Sequence, residues 1–324
     1  MALSLKQIQK PIEAELNAFE KKFRASMRSN VPLLDKVMHY IVQHKGKQMR
    51  PMFVFFSALL AGNIGEKVYR GATLIELLHT ATLVHDDVVD DADKRRGFFS
   101  INALWKNKVA VLVGDYLLSK GLLLSVEHKD FSLLEIVSTA VREMSEGELL
   151  QMQKSRLLNI TESVYYDIIQ RKTASLIVAA CGMGFVAAGG AEEQLAQLQS
   201  FALNAGIAFQ IRDDLFDYGA VGIGKPTGID IKEKKLTLPL IYALSQASDS
   251  EKRKYIYKIK NETHQKNTIT EIIDWVKAKN GIAYAQNAMQ QYQNAALEAL
   301  KRLPQNSGNL GLEQLLIFTI ERNK

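Results

Sequence analysis

The sequence predicts an all-α protein, a single large helical bundle, and three observations carry that reading. Apolar residues recur at helical spacing, as in Ile75, Leu78, Thr82 and Val89, and again in Leu195, Leu198, Ala202 and Ala205. Strand-type alternation bounded by turn residues is hard to find. Glycine, proline and asparagine concentrate at a few places only: 61–66 (AGNIGE), 188–191 (AGGA), 219–228 and 304–309 (PQNSGN). A further break falls at 30–32, since the residue before Pro32 is pushed away from helical backbone. The segments between these breaks amount to ten or more helices and essentially no sheet.

Composition bounds the function. The 324 residues are 47% hydrophobic and 23% charged, which excludes disordered and collagen-like chains. A net charge of +6 suits an anionic ligand and is too small to announce nucleic acid. The lone cysteine, Cys181, excludes an intrachain disulfide and fits a reducing, cytoplasmic setting. No signal-type segment is read at the amino terminus. Residues 173–191 (TASLIVAACGMGFVAAGGA) carry no charge, but their alanines and glycines predict a buried, tightly packed helix rather than a membrane span.

Two motifs carry chemistry. Asp86, Asp87 and Asp90 close one apolar run, and Asp213, Asp214 and Asp217 close another. On a helix, positions i and i+4 share a face, so Asp86/Asp90 and Asp213/Asp217 each form a two-pronged clamp. Repelling carboxylates at that spacing call for a cation, and Mg²⁺ bridging to phosphate oxygens fits better than a calcium loop. One domain spanning 1–324 lets the trios face each other. Cations stand beside them: Lys47 and Arg50, Arg95 and Arg96, Lys172, and Lys225, Lys232, Lys234 and Lys235. The segment 219–225 imitates a P-loop, and 182–187 a dinucleotide fingerprint, but neither has the required strand–helix setting.

With these residues the chain resembles the trans-isoprenyl (polyprenyl) diphosphate synthases, from about residue 46 to 239. The matching stretches are GKQMRP at 46–51, His79, DDVVD at 86–90, RRG at 95–97, GDYLLS at 114–119 and EGELLQ at 146–151. They continue with KT at 172–173, FQIRDDLFD at 209–217, GKPTGID at 224–230 and KLTLPL at 235–240. The resemblance implies helices around a deep cavity, a homodimer, and condensation of isopentenyl diphosphate with an allylic diphosphate. It implies that the six aspartates bind up to three Mg²⁺ ions assembled with the allylic diphosphate. Arg95, Lys172, Thr173, Gln210, Lys225 and Lys235 would contact that substrate, Lys172 being counted with the catalytic groups. Lys47, Arg50, His79 and Arg96 would hold isopentenyl diphosphate, and Arg322 or Lys324 would close over the site.

Leu78, Ala81 and Thr82 lie on the helix before Asp86, where the resemblance places the growing tail. A helical turn rises about 5.4 Å, roughly one isoprene unit. Small residues at 81 and 82 leave the upper tunnel open and predict a product of C30 or longer, a quinone side-chain precursor. Leu74, Phe131, Leu134 and Val137 are candidates for the floor. A short-chain synthase, a class I terpene cyclase and a non-catalytic subunit are the competing readings. The last two are disfavoured by the second Asp-Asp-x-x-Asp, by Lys47/Arg50 and by the intact aspartates.

Overall fold

The computed structural model describes residues 4–44, 46–95, 97–219 and 227–321, and they are overwhelmingly helical. In chain order the helices are α1 (Leu5–Gln9), α2 (Glu13–Ser26), α3 (Pro32–Gln43), α4 (Met49–Ala61), α5 (Glu66–Val89), α6 (Ile101–Glu127), α7 (Phe131–Leu157) and α8 (Glu162–Ile169). There follow α9 (Ser175–Ala187), α10 (Glu192–Asp217), α11 (Ile229–Lys232), α12 (Leu238–Ser245), α13 (Asp249–Asn261), α14 (Lys266–Ala278), α15 (Gly281–Lys301) and α16 (Ser307–Glu321). The breaks predicted at 30–32, 61–66 and 188–191 fall at helix boundaries. Among the described residues the sheet is one small antiparallel hairpin, β1 (Lys94–Arg95) and β2 (Phe98–Phe99), which periodicity did not signal.

Local chemistry fixes the helix starts. Ser4 with Gln7, and Ser248 with Glu251, form reciprocal capping boxes at α1 and α13. The Ser100 and Thr161 hydroxyls accept from the first amides of α6 and α8. Pro32 and Pro239 sit in the first turns of α3 and α12, where a missing N–H costs nothing.

Two apolar clusters form the interior. The larger joins α1–α7, α9, α16 and the earlier part of α10; the smaller joins α8, the end of α10 and α11–α14. Helices α10 and α15, packed along each other, run through both.

Helix α9 lies within the uncharged segment of the sequence, and most of its residues are buried. Its small residues have a specific use: a Cβ on Gly184 would stand 1.9 Å from the Val54 carbonyl oxygen, so glycine lets α9 touch the α4 backbone. The described helix that is long and apolar enough to cross a membrane is α6, which the sequence reading did not single out. Leu112 and Leu123 of α6, and Phe131 and Leu149 of α7, are all more than half exposed, so both helices leave apolar side chains uncovered.

Candidate active site

Helices α5 and α10 end in the two aspartate trios, at the carbonyl end of the helix dipole where negative charge is disfavoured. The cost has to be met by cations. A cavity of about 200 Å³ opens beside the second trio, lined by Asp213, Asp214, Gln210, Lys172, Thr173 and Lys235, among others. The first trio lies near the same cations: the Lys172 ammonium lowers the Asp86 pKa, and the Asp90 carboxylate raises that of Lys235. Both lysines thus lie within electrostatic reach of both trios.

Within each trio the carboxylates have different fates. Asp86 is half-buried, Asp90 and Asp213 are exposed, and none of the three carries a side-chain hydrogen bond or ion pair among the described residues. Burial raises the Asp86 pKa, and only the nearby Lys172 and Arg95 oppose it. Asp87 is buried and accepts from Arg95 Nε at 2.6 Å. Asp214 is buried, accepting from Tyr165 Oη at 2.6 Å and Gln210 Nε2 at 2.8 Å, and burial pushes it up to about 8. Asp217 accepts from the amides of Ile229 at 2.7 Å and Asp230 at 3.1 Å, so it caps α11. The resemblance assigns all six aspartates to metal; here Asp87, Asp214 and Asp217 accept from protein donors, while Asp86, Asp90 and Asp213 are the more open carboxylates.

Those three suit a hard divalent cation, which takes one or two carboxylates and fills its shell with water and phosphate oxygens. Among the described residues, no three Asp, Glu, His or Cys side chains come together as a ready-made metal site.

The cations have their own supports. Lys172 and Thr173 lie in a π-turn, 170–174, between α8 and α9, a distortion frequent at functional sites. Gly147 makes room for it, since a Cβ there would stand 2.9 Å from the Lys172 nitrogen. Lys172 pairs with Glu148 and donates to Gln151 at 3.3 Å. Thr173 donates to Gln210 Oε1 at 2.7 Å, so the amide bridges Thr173 to Asp214. Lys235 donates to Glu233; burial lowers its pKa, but Glu233, Asp230 and Asp90 outweigh that and raise it.

A second, smaller cavity of about 100 Å³ is lined by Gly46, Glu76, His79, Asp87, Arg95 and Phe99, among others. His79 is buried there, while Lys47 is exposed and Arg50 half-buried at the start of α4. Arg95, which the resemblance places on the allylic side, lines the His79 cavity and is tied to Asp87. Arg96, Lys225, Arg322 and Lys324 lie outside the described residues, as does most of 219–228.

Leu78 and Ala81 are buried in the larger core, and Thr82 is half-buried, donating to the His79 carbonyl at 2.9 Å. Val137 is buried nearby in the same core, but Phe131 is 61% exposed and makes no floor within one chain. Sequence reasoning missed Tyr165, Glu148 and Asp230. Tyr165 stands seven residues, two helical turns, before Lys172, and that spacing was the available signal.

Comparison with known proteins gives the family. The Polyprenyl synthetase family model matches residues 31–276. Octaprenyl diphosphate synthase of Haemophilus influenzae is 32% identical, over 99% of this chain and 98% of that one. A decaprenyl diphosphate synthase structure from Rhodobacter capsulatus superposes with TM-score 0.93 at 33% identity, covering 99% of this chain and 100% of the other. A polyprenyl synthase from Caulobacter crescentus CB15, complexed with calcium and isoprenyl diphosphate, gives TM-score 0.91 at 32% identity, covering 100% and 99%. The chain belongs to the polyprenyl synthetase family.

Proposed function

We propose that the chain is a trans-prenyltransferase that condenses isopentenyl diphosphate with an allylic diphosphate to give a polyprenyl diphosphate of C30 or longer. The observation that carries the reading is the pair of carboxylate-tipped helices with Lys172 and Lys235 within electrostatic reach of both. Long-chain products are supported by the octaprenyl and decaprenyl synthases among the similar proteins.

Ionisation of the allylic C–O bond makes a diphosphate anion and a delocalised carbocation. Lys172 and Lys235, with Thr173, Gln210 and Lys225, meet the departing oxygens, so their charge counts most when the bond is broken. Mg²⁺ held at Asp86, Asp90 and Asp213 would supply further neutralisation of that anion. Asp87 orients Arg95, and Asp214 orients Gln210. Lys47, Arg50, His79 and Arg96 hold isopentenyl diphosphate. The apolar wall of Leu78 and Ala81 keeps water from the cation, and the released diphosphate accepts the last proton. We read residues 1–324 as one cytoplasmic domain that works as a homodimer, the uncovered apolar side chains of α6 and α7 meeting their copies in a partner.

Purified chain with farnesyl diphosphate, isopentenyl diphosphate and Mg²⁺ is expected to yield linear product of C30 or longer; cyclised hydrocarbon or no turnover contradicts the reading. Ala81→Phe is expected to shorten the product by several isoprene units, read by chromatography against the parent. Unchanged lengths would remove residue 81 from the tunnel wall.

A further inference from the structure

A cleft of about 510 Å³ lies between α8, α10 and α15, separate from the two cavities above. Its lining includes Glu162, Tyr166, Asn204, Tyr284, Asn287 and Tyr292. No lysine, arginine or histidine lines it among the described residues, although the chain as a whole carries +6. The Tyr284 hydroxyl donates to Glu162 Oε1 at 2.6 Å, and that bond, with burial, pushes the phenol up to about 12. Glu162 is thus the one formal charge in a wall of neutral phenols and amides.

The rings are held in place. Tyr284 stacks on Tyr242 at 4.0 Å, and Tyr166 meets Tyr292 at 5.5 Å with the planes tilted by 46°. Aromatic rings around one carboxylate attract an organic cation through the ring quadrupole and the charge together. The volume suits a small molecule. The cleft also touches the site: Tyr166 packs edge-on against Tyr165 at 5.4 Å, and Tyr165 donates to Asp214.

We propose that this cleft binds a small organic cation, a quaternary or protonated amine, and that α8 couples its occupancy to the diphosphate cavity. The coupling, unlike the binding, rests on the prenyltransferase reading.

Calorimetric titration with choline tests the binding without any prenyl substrate. Saturable binding is expected, weakened at least about fivefold in Glu162→Gln, with the carbon isostere of choline binding at least about tenfold more weakly. Glu162→Gln keeps an acceptor for Tyr284, and its melting temperature checks that the fold is retained. Absence of saturable binding, or an isostere that binds as well as choline, overturns the site. In a second titration, with Mg²⁺ and an allylic diphosphate bound, choline affinity is expected to change about twofold or more, because linkage is reciprocal. An unchanged affinity overturns the coupling.

Discussion

The ends of α5 and α10 carry the same Asp-Asp-x-x-Asp pattern and use it differently. On α5 the first and last carboxylates are open, and the middle one holds Arg95. On α10 the first is open, the middle one is buried under Tyr165 and Gln210, and the last caps α11. One end is a two-pronged clamp. The other is a single prong standing on a structural base. A repeated motif is therefore not a repeated environment: the neighbours differ in which carboxylate oxygens they occupy.

The largest expected effect breaks the first trio apart. Asp86→Asn is expected to lower kcat by about 10²–10³, the usual cost of removing one group that stabilises developing charge. Asp87→Asn is expected to act through loosened Arg95, raising KM more than it lowers kcat. Steady-state kinetics with each substrate varied in turn separates the two. A matching kcat loss in both would make the α5 carboxylates equivalent.

A smaller effect is expected at Asp217. Asp217→Ala removes the α11 cap and should cost about 0.5–2 kcal/mol of stability, whereas Asp217→Ser retains an acceptor and loses less. Urea unfolding measures both. Equal losses would contradict the capping role.

The smallest effect is a change in pH dependence at Asp214, measured without metal. Its folded pKa, about 8, lies above the unfolded value near 4, so proton binding favours the folded state. That contribution is complete below about pH 4 and is lost as pH rises toward about 8. In Asp214→Asn it is absent. The melting temperature of the variant should therefore gain on the parent between pH 5 and 8, and a constant difference would contradict the assignment.

Much of this was legible in the sequence. The helical class, the breaks before α3, α5 and α10, the buried α9 and both trios follow from local pattern, which is where periodicity and turn chemistry act. The division of labour within the trios was not, because it depends on groups distant in sequence. Tyr165 is 49 residues from Asp214, and the Asp217 cap comes from amides 12 and 13 residues on, across the glycine-rich segment. The Arg95–Asp87 pair was hidden for a similar reason, since the hairpin that carries Arg95 has no periodic signature. The exposed face of α6 was hidden by a helix apolar nearly all round, in which no stripe marks the side facing the core.

Asp213 and Asp214 are adjacent on α10, the first an open carboxylate and the second an enclosed one. Turnover of Asp213→Asn and Asp214→Asn, both shown to be folded, tests that assignment in a single experiment. A loss of about 10²–10³ is expected for Asp213→Asn and of no more than about tenfold for Asp214→Asn. Equal losses, or the larger loss at Asp214, would contradict it.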